Sequence, residues 1–207
     1  MPSLPEHPRT AILVLAAGAS RRLGRPKQLL PYRGGVLLDA ALATARASGC
    51  DQIILALGGA ADQVRERVDT SGCDVVENAD YGTGCSSSIA AALPALNPGT
   101  GALVLLLADQ PGTTVESVHL LRAGLPGHEL AVCRYDDGVG HPFAFSSSLF
   151  PDLATLHGDK AVWKLLENWR IHRPQDIAEV PVPGRIPLDV DTEADYEQLL
   201  AAPEGLR

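Results

Sequence analysis

The stretch AILVLAAGASRRLGRPKQLLP (residues 11–31) joins an apolar run to a strongly basic loop. A continuous apolar run such as 11–17 is typical of a strand that is buried on both faces of a parallel sheet. Gly18 interrupts the run. Four cations then follow within seven residues: Arg21, Arg22, Arg25 and Lys27. We therefore predict a central strand that ends in a cationic loop.

Strands and helices alternate outward from this stretch. Further strands are predicted at 52–59, 73–78, 101–111, 129–135, 142–146 and, as an edge strand, 178–182. Helices are predicted at 36–49, 60–68, 86–96, 113–125, 160–169 and 192–202. This order predicts a Rossmann-like, three-layer α/β/α sandwich with a mostly parallel sheet. Its ligand is expected at the carboxyl ends of the strands.

We predict a single domain, since a chain of 207 residues can bury one large core. Residues 10–207 show no internal repeat, low-complexity tract or linker. Residues 1–9 are polar and rich in proline, and we predict that they form an N-terminal tail.

The composition excludes several classes of protein. With 17 Lys and Arg against 25 Asp and Glu, the net charge of -8 argues against binding to nucleic acid or to an anionic membrane. No signal-peptide pattern or membrane-length apolar run is visible, so we expect a cytoplasmic protein. The four cysteines have no metal-site spacing, and no disulfide is expected.

The basic loop has the properties of a phosphate site. Ala16, Ala17 and Gly18 are small, so their backbone N–H groups are open to an anion. Arg22 and Lys27 could then neutralise a triphosphate. The loop is neither of the two best-known phosphate motifs, because its glycine spacing differs from both. A solvated basic loop remains the alternative.

Two acidic segments could complete such a site. Asp109 ends the most apolar strand (LLLADQP, 105–111), where its carboxylate could hold Mg²⁺, or it could form an Asx turn. In LDVDTEADY (188–196), Asp189 and Asp191 share one face if the segment is extended, although Asp191 or Thr192 could instead cap the last helix. Paired carboxylates also occur in glycoside hydrolases, but only phosphoryl chemistry explains both the acids and the cations.

LAAGASRRLGRPKQLLP (15–31) closely resembles LAAGxSxRMGxxKxLLP, the signature of the nucleotidyltransferases related to the molybdenum cofactor enzymes. Leu23 replaces the common Met. The resemblance extends over about residues 10–200 and includes ADQP (108–111). It implies that the predicted sandwich is of the nucleotide-diphospho-sugar transferase type. The LAAG sequence resembles the cytidylyltransferase branch, whereas the guanylyltransferase branch more often has LAGG.

The resemblance implies a Mg²⁺-dependent enzyme that transfers CMP from CTP to a phosphate-bearing acceptor such as molybdopterin, with release of pyrophosphate. The implied catalytic residues are Arg22, Lys27 and Asp109, and the implied metal ligands are Asp109 and Asp191, with Asp191 favoured over Asp189. The implied nucleotide-binding residues are Leu15, Ala16, Ala17, Gly18, Arg22, Lys27, Gly82, Gly84, Ser86 and Ser87, of which the last four lie in a stretch resembling the family's base segment. Ser86 could instead simply cap a helix.

Two further segments concern the acceptor. GVGHPFAF (138–145) resembles the family's acceptor-facing loop, which implies acceptor binding by Gly140, His141 and Pro142. LHGDKAVWKLL (156–166) resembles a family segment that ends in Arg, but Trp163 stands at that position here. This departure leaves the acceptor open.

Three alternatives remain at this point. A guanylyltransferase would differ in its base contacts, and a sugar-phosphate nucleotidyltransferase would differ in its acceptor. An accessory module could bind the cofactor for a partner molybdenum hydroxylase without releasing pyrophosphate.

Overall fold

The computed structural model describes residues 8–18, 20 and 22–202. Its strands are β1 Arg9–Ala16, β2 Pro31–Tyr32, β3 Gly35–Val36, β4 Gln52–Leu57, β5 Asp74–Glu77, β6 Thr100–Leu107, β7 Leu130–Tyr135, β8 Gly138–Ser146 and β9 Ile177–Pro181. Its α-helices are α1 Leu37–Ala47, α2 Ala61–Arg67, α3 Cys85–Ala92, α4 Val115–Gly124, α5 Phe150–Ala154, α6 Ala161–His172 and α7 Glu193–Ala201.

Seven strands form one sheet in the order β5-β4-β1-β6-β8-β7-β9. β1 pairs in parallel with β4 and β6, and the predicted edge strand is β9, parallel to β7. Only β8 runs antiparallel to its neighbours among these strands. Two residues separate β7 from β8, and so short a connection can join only antiparallel strands. The predicted mostly parallel sheet is confirmed.

Helices cover both faces of the sheet, because successive side chains of a buried strand point in opposite directions. Ile12 and Val14 of β1 pack with α1, α2 and α4. Ala11 and Leu13 pack with α3, α5 and α6 on the other face. The predicted three-layer α/β/α sandwich is confirmed.

The last helix, α7, returns the end of the chain to the first loop. Tyr196 and Leu199 pack against Leu30 and Leu37. The Tyr196 hydroxyl also donates a hydrogen bond of 2.7 Å to the carbonyl oxygen of Pro31. This docking places residues 189–191 beside the basic loop.

Several predicted boundaries need correction. The β8 strand starts at Gly138, so Gly140, His141 and Pro142 lie in a strand and not in a loop. The α3 helix begins at Cys85 after Gly84, so Ser86 does not cap it. Of the predicted tail, residues 1–7 lie outside the described residues, as do 203–207 at the other end, and Arg9 already belongs to β1. Within the described ranges, no helix is both long and apolar enough to cross a bilayer.

Candidate active site at the carboxyl edge of the sheet

A cavity of about 850 Å³ lies at the carboxyl ends of the parallel strands. Its wall includes the loop that follows β1, the turn that follows β6, the segment that precedes α3, the beginning of α6 and the segment that precedes α7. The residues predicted from separate parts of the sequence therefore meet in one place. This is the edge at which parallel α/β sheets bind their ligands.

Ser20 organises the basic loop. It adopts a positive φ of 48°, and its carbonyl oxygen accepts hydrogen bonds of 3.1 Å from the N–H groups of Leu23 and Gly24. Its hydroxyl oxygen accepts a hydrogen bond of 2.9 Å from the N–H of Lys27. These bonds turn the loop so that the Lys27 side chain reaches the cavity. Ala19 and Arg21 lie outside the described residues.

An ion-pair cluster joins the predicted cations to the predicted acids. The Lys27 ammonium group pairs with the Asp109 carboxylate and lies 2.8 Å from Oδ1 of Asp191. Arg22 is 2.7 Å from Oδ2 of the same Asp191 carboxylate. The Lys27 and Asp109 side chains are only 16% and 17% exposed, so their pairing is shielded from solvent on most sides.

The pKa values of the cluster follow from this geometry. Burial lowers the pKa of Lys27, but the Asp109 and Asp191 carboxylates outweigh burial and raise it overall. Burial raises the pKa of Asp191, but Lys27 and Arg22 outweigh it and lower it overall. For Asp189, burial followed by the negative charge of Asp109 outweighs the effects of the Gln110 side chain and Lys27 and raises its pKa to about 6.

Thr192, not Asp191, caps α7. The Thr192 hydroxyl accepts a hydrogen bond of 3.2 Å from the N–H of Asp195. The Asp195 carboxylate in turn accepts one of 2.7 Å from the N–H of Thr192, which completes a capping box. The Asp191 carboxylate is thereby left to Arg22 and Lys27.

The segment before α3 contributes Tyr81, Gly82 and Gly84 to the cavity wall, and Cys85 at the start of α3 adjoins them. A side chain at Gly84 would collide with the backbone, since its Cβ would lie 2.6 Å from the carbonyl carbon of Gly158. The segment before α3 and the segment before α6 therefore approach each other closely.

The structure places neither Ser86 nor Ser87 on the cavity wall. Ser86 is 2% exposed, and the Ser87 hydroxyl donates a hydrogen bond of 2.8 Å to the carbonyl oxygen of Gly84. Ser88 lines the cavity instead, because it lies one helical turn from Cys85 on the same face of α3. That i,i+3 spacing is the sequence signal for Ser88.

The predicted acceptor residues lie on β8 at the other side of the cavity. Gly140 and His141 line the cavity, while Pro142 is buried behind it. The His141 ring stacks on Phe143 with centroids 4.3 Å apart, and Trp163 contacts both rings edge-on. Burial lowers the pKa of His141 to about 4, so the ring is neutral at pH 7.

The remaining predicted residues divide between the wall and the interior. Leu15, Ala17 and Gly18 line the cavity with Arg22 and Lys27, whereas Ala16 is buried. Several wall residues were not predicted from the sequence, namely Ser20, Gln110, Val139, Asp159, Lys160 and Ile186. Most of these reach the wall through tertiary packing, for which the sequence carries no local pattern.

The carboxylates can be tested against the requirements of a divalent cation. Within the described part of the chain, no group of three or more His, Cys, Asp and Glu side chains could hold a metal ion. Asp109 and Asp191 nevertheless converge on one point, the Lys27 ammonium group. Mg²⁺ is commonly held by one or two carboxylates together with water and substrate phosphates. The donor set fits a cation that a bound triphosphate helps to coordinate.

The mostly parallel sheet, with a cationic loop and converging acids at its carboxyl edge, defines a nucleotidyltransferase enzyme. A family model described as the MobA-like NTP transferase domain matches residues 12–176, and the chain belongs to this family.

Curated relatives carry different names. The chain is 38% identical to nicotine blue oxidoreductase of Paenarthrobacter nicotinovorans over 71% of its length and 76% of the relative. It is 30% identical to the molybdenum cofactor cytidylyltransferase of Escherichia coli over 59% of its length and 69% of that enzyme.

The Rv0371c homologue from Mycobacterium sp. strain JC1, whose crystal structure is known, is 49% identical in sequence to this chain. The two structures superpose with a TM-score of 0.86, and the match covers 93% of this chain and 96% of the homologue. Rv0371c of Mycobacterium tuberculosis, crystallised with manganese, is 44% identical with a TM-score of 0.83, covering 94% and 100% of the two chains.

Proposed function

We propose that this enzyme transfers CMP from CTP to the phosphate of a molybdopterin-type acceptor, with Mg²⁺ as the divalent cation and pyrophosphate as the leaving group. The observation that carries the proposal is the Lys27–Asp109–Asp191 cluster beside the loop at Gly18, inside one cavity. Cations for the phosphates and acids for a metal are the two requirements of phosphoryl chemistry.

The chain's own residues would act mainly by positioning and charge. The small residues Ala17 and Gly18 leave backbone amides open to the triphosphate, and Lys27 and Arg22 offset its negative charge. Asp109 and Asp191 would hold the divalent cation, which would supply positive charge to offset the negative charge that develops on the phosphates. An ionised acceptor phosphate is already a nucleophile, so the reaction needs no general base.

The preference for CTP rests on sequence resemblance. LAAG at 15–18 resembles the cytidylyltransferase branch, and the relative from Escherichia coli is named as a cytidylyltransferase. A tenfold preference for CTP over GTP requires about 1.4 kcal/mol, roughly the contribution of one or two hydrogen bonds to the base. Tyr81, Gly82, Gly84 and Ser88 are the candidates for these contacts.

The partner that receives the product and the cellular location also belong to this proposal. The product would be delivered to a molybdenum hydroxylase. A cytoplasmic location remains a prediction. An accessory role without catalysis is the alternative outside the nucleotidyltransferases.

The test measures pyrophosphate release with CTP, GTP, ATP and UTP, each with and without molybdenum-loaded molybdopterin. We expect release with CTP, only when acceptor and Mg²⁺ are both present, and we expect EDTA to stop it. Equal or greater release with GTP would overturn the nucleotide assignment. Binding of molybdopterin without pyrophosphate release from any nucleotide would favour the accessory role.

A further inference from the structure

The cavity has two chemically different sides. One side carries the charged cluster of Lys27, Asp109 and Asp191. The other side is an aromatic wall, which we define as His141, Phe143 and Trp163. The two sides would contact different parts of a bound ligand.

The aromatic wall is held in place from behind. Phe143 is fully buried in the core and stacks on His141 at an interplanar angle of 26°. Trp163 stands nearly perpendicular to both rings, at 85° to His141 and 76° to Phe143. Trp163 and His141 are partly exposed and line the cavity, so their surfaces are accessible to a ligand.

The wall is also uncharged in its middle. His141 is neutral at pH 7, and Trp163 carries no charge. Val139 and Ile186 add apolar surface beside them. Asp159 and Lys160 are the charged groups of the adjoining segment that line the cavity. A second phosphate group would find no guanidinium at position 163.

His141 of the wall lies apart from Tyr81 in the segment assigned to the nucleotide base, although Gly84 of that segment meets the backbone before Trp163 at Gly158. Tyr81 follows β5, whereas His141 lies in β8, and three strands, β4, β1 and β6, stand between β5 and β8 in the sheet. Asp109, at the end of β6, lies between the two regions. A base near Tyr81 and a ring near His141 would therefore approach the phosphates from opposite sides.

We propose that Trp163 and His141 determine acceptor specificity by binding a flat, uncharged heteroaromatic ring through stacking and apolar contact. Aromatic pairs prefer offset-stacked or edge-to-face arrangements, both of which a ring beside Trp163 can adopt. The assignment of this ring to the acceptor rests on the proposed function, whereas ring binding at the wall does not.

The test uses pterin, a flat heteroaromatic compound without phosphate, as the probe. Trp163 and Trp169 are the two tryptophans of the chain, and Trp169 is buried beneath Arg173. A Trp169→Phe protein therefore reports on Trp163 by fluorescence. We expect pterin to quench this fluorescence saturably, while ribose 5-phosphate leaves it unchanged. Quenching by ribose 5-phosphate or by cytidine, with no response to pterin, would overturn the inference.

Calorimetric titration of pterin into two single-substitution variants, which both keep Trp169, makes the test more specific. Trp163→Arg should weaken pterin binding at least tenfold, while the matched Trp163→Phe, which keeps an aromatic face, should bind within about threefold of the wild type. Equal pterin affinity in all three proteins would contradict the proposal. If Trp163→Arg does not fold, Trp163→Ala provides the same comparison, judged by the same criterion.

These measurements need neither nucleotide nor turnover, so they separate the two proposals. Pterin binding that depends on Trp163, in a protein that releases no pyrophosphate, would support ring binding at the aromatic wall and contradict the proposed reaction. Pyrophosphate release without pterin binding would support the proposed reaction and contradict ring binding at the aromatic wall.

Discussion

Lys27 Nζ lies 2.8 Å from Oδ1 of Asp191, although 164 positions separate the two residues in the chain. Lys27 also pairs with Asp109, so one ammonium group joins two carboxylates that come from different segments. The docking of α7 against the β2 region makes this contact possible. The site is thus assembled from three distant stretches at the carboxyl edge of the sheet.

The first prediction concerns Asp109. Asp109→Ala should lower pyrophosphate release by about a hundredfold or more, because it removes a carboxylate proposed to hold the divalent cation. Circular dichroism should show an unchanged fold. Asp62→Ala is the matched control, since its side chain is 99% exposed on α2 and lies outside the cavity wall. Near-normal release from folded Asp109→Ala would refute this role.

The second prediction concerns Lys27. Lys27→Ala should weaken CTP binding about tenfold or more, since a hydrogen bond to a charged group contributes about 1.5–3 kcal/mol. CMP binding should change much less, because the lysine is proposed to contact the phosphate tail. Titrating both nucleotides into wild type, Lys27→Ala and the exposed control Lys164→Ala tests this. Identical CTP affinities in the three proteins would show that the cluster is not a phosphate site.

The third prediction separates the neighbours Asp191 and Thr192. Thr192→Ala removes the α7 cap and should cost about 1 kcal/mol, which lowers Tm by roughly 2–4 °C in a domain of this size. Asp191→Asn retains the cap and should instead lower pyrophosphate release. Thermal unfolding and activity of both variants test the division. Unchanged stability in Thr192→Ala would contradict the cap, and normal pyrophosphate release from folded Asp191→Asn would contradict the role of Asp191.

The fourth prediction is a pH dependence of stability from His141. Burial lowers the pKa of this histidine from 6.5 to about 4, so between these values the unfolded chain binds a proton that the folded chain excludes. Its contribution is fully present above pH 6.5 and is lost as the pH falls towards 4.

Urea unfolding at pH 7 and pH 5 tests this contribution. Wild type should lose about 1–2 kcal/mol more than His141→Phe between the two values, at about 1.4 kcal/mol per pKa unit. The exposed His172→Gln should behave as wild type. An equal loss in wild type and His141→Phe would contradict the prediction.

The sheet and its layers were predictable because long apolar runs and helical spacing reflect burial directly. The run at 11–17 corresponds to β1, and the alternation of elements led to the three layers. The position of Gly18 and Asp109 at the same edge of the sheet was also predictable, since both residues follow the carboxyl ends of parallel strands.

The finer features of the site were not predictable. Helix α3 begins at Cys85, one residue earlier than expected. Ser88 faces the wall with Cys85, whereas Ser86, about 200° from Ser88 around the helix, is buried. His141 lies in β8 because the β7–β8 turn is only two residues long. The contact between Lys27 and Asp191 depends on tertiary docking of α7, which no local pattern encodes.

The most direct test of the central claim follows the α-phosphorus of CTP. The enzyme is incubated with Mg²⁺, molybdenum-loaded molybdopterin and CTP labelled at the α-phosphate. The account predicts that the label appears in the acceptor, with one pyrophosphate released for each label transferred, and that Asp109→Ala transfers none. Label that stays in CTP, or appears only as free CMP while the acceptor remains unlabelled, would contradict nucleotidyl transfer to this acceptor.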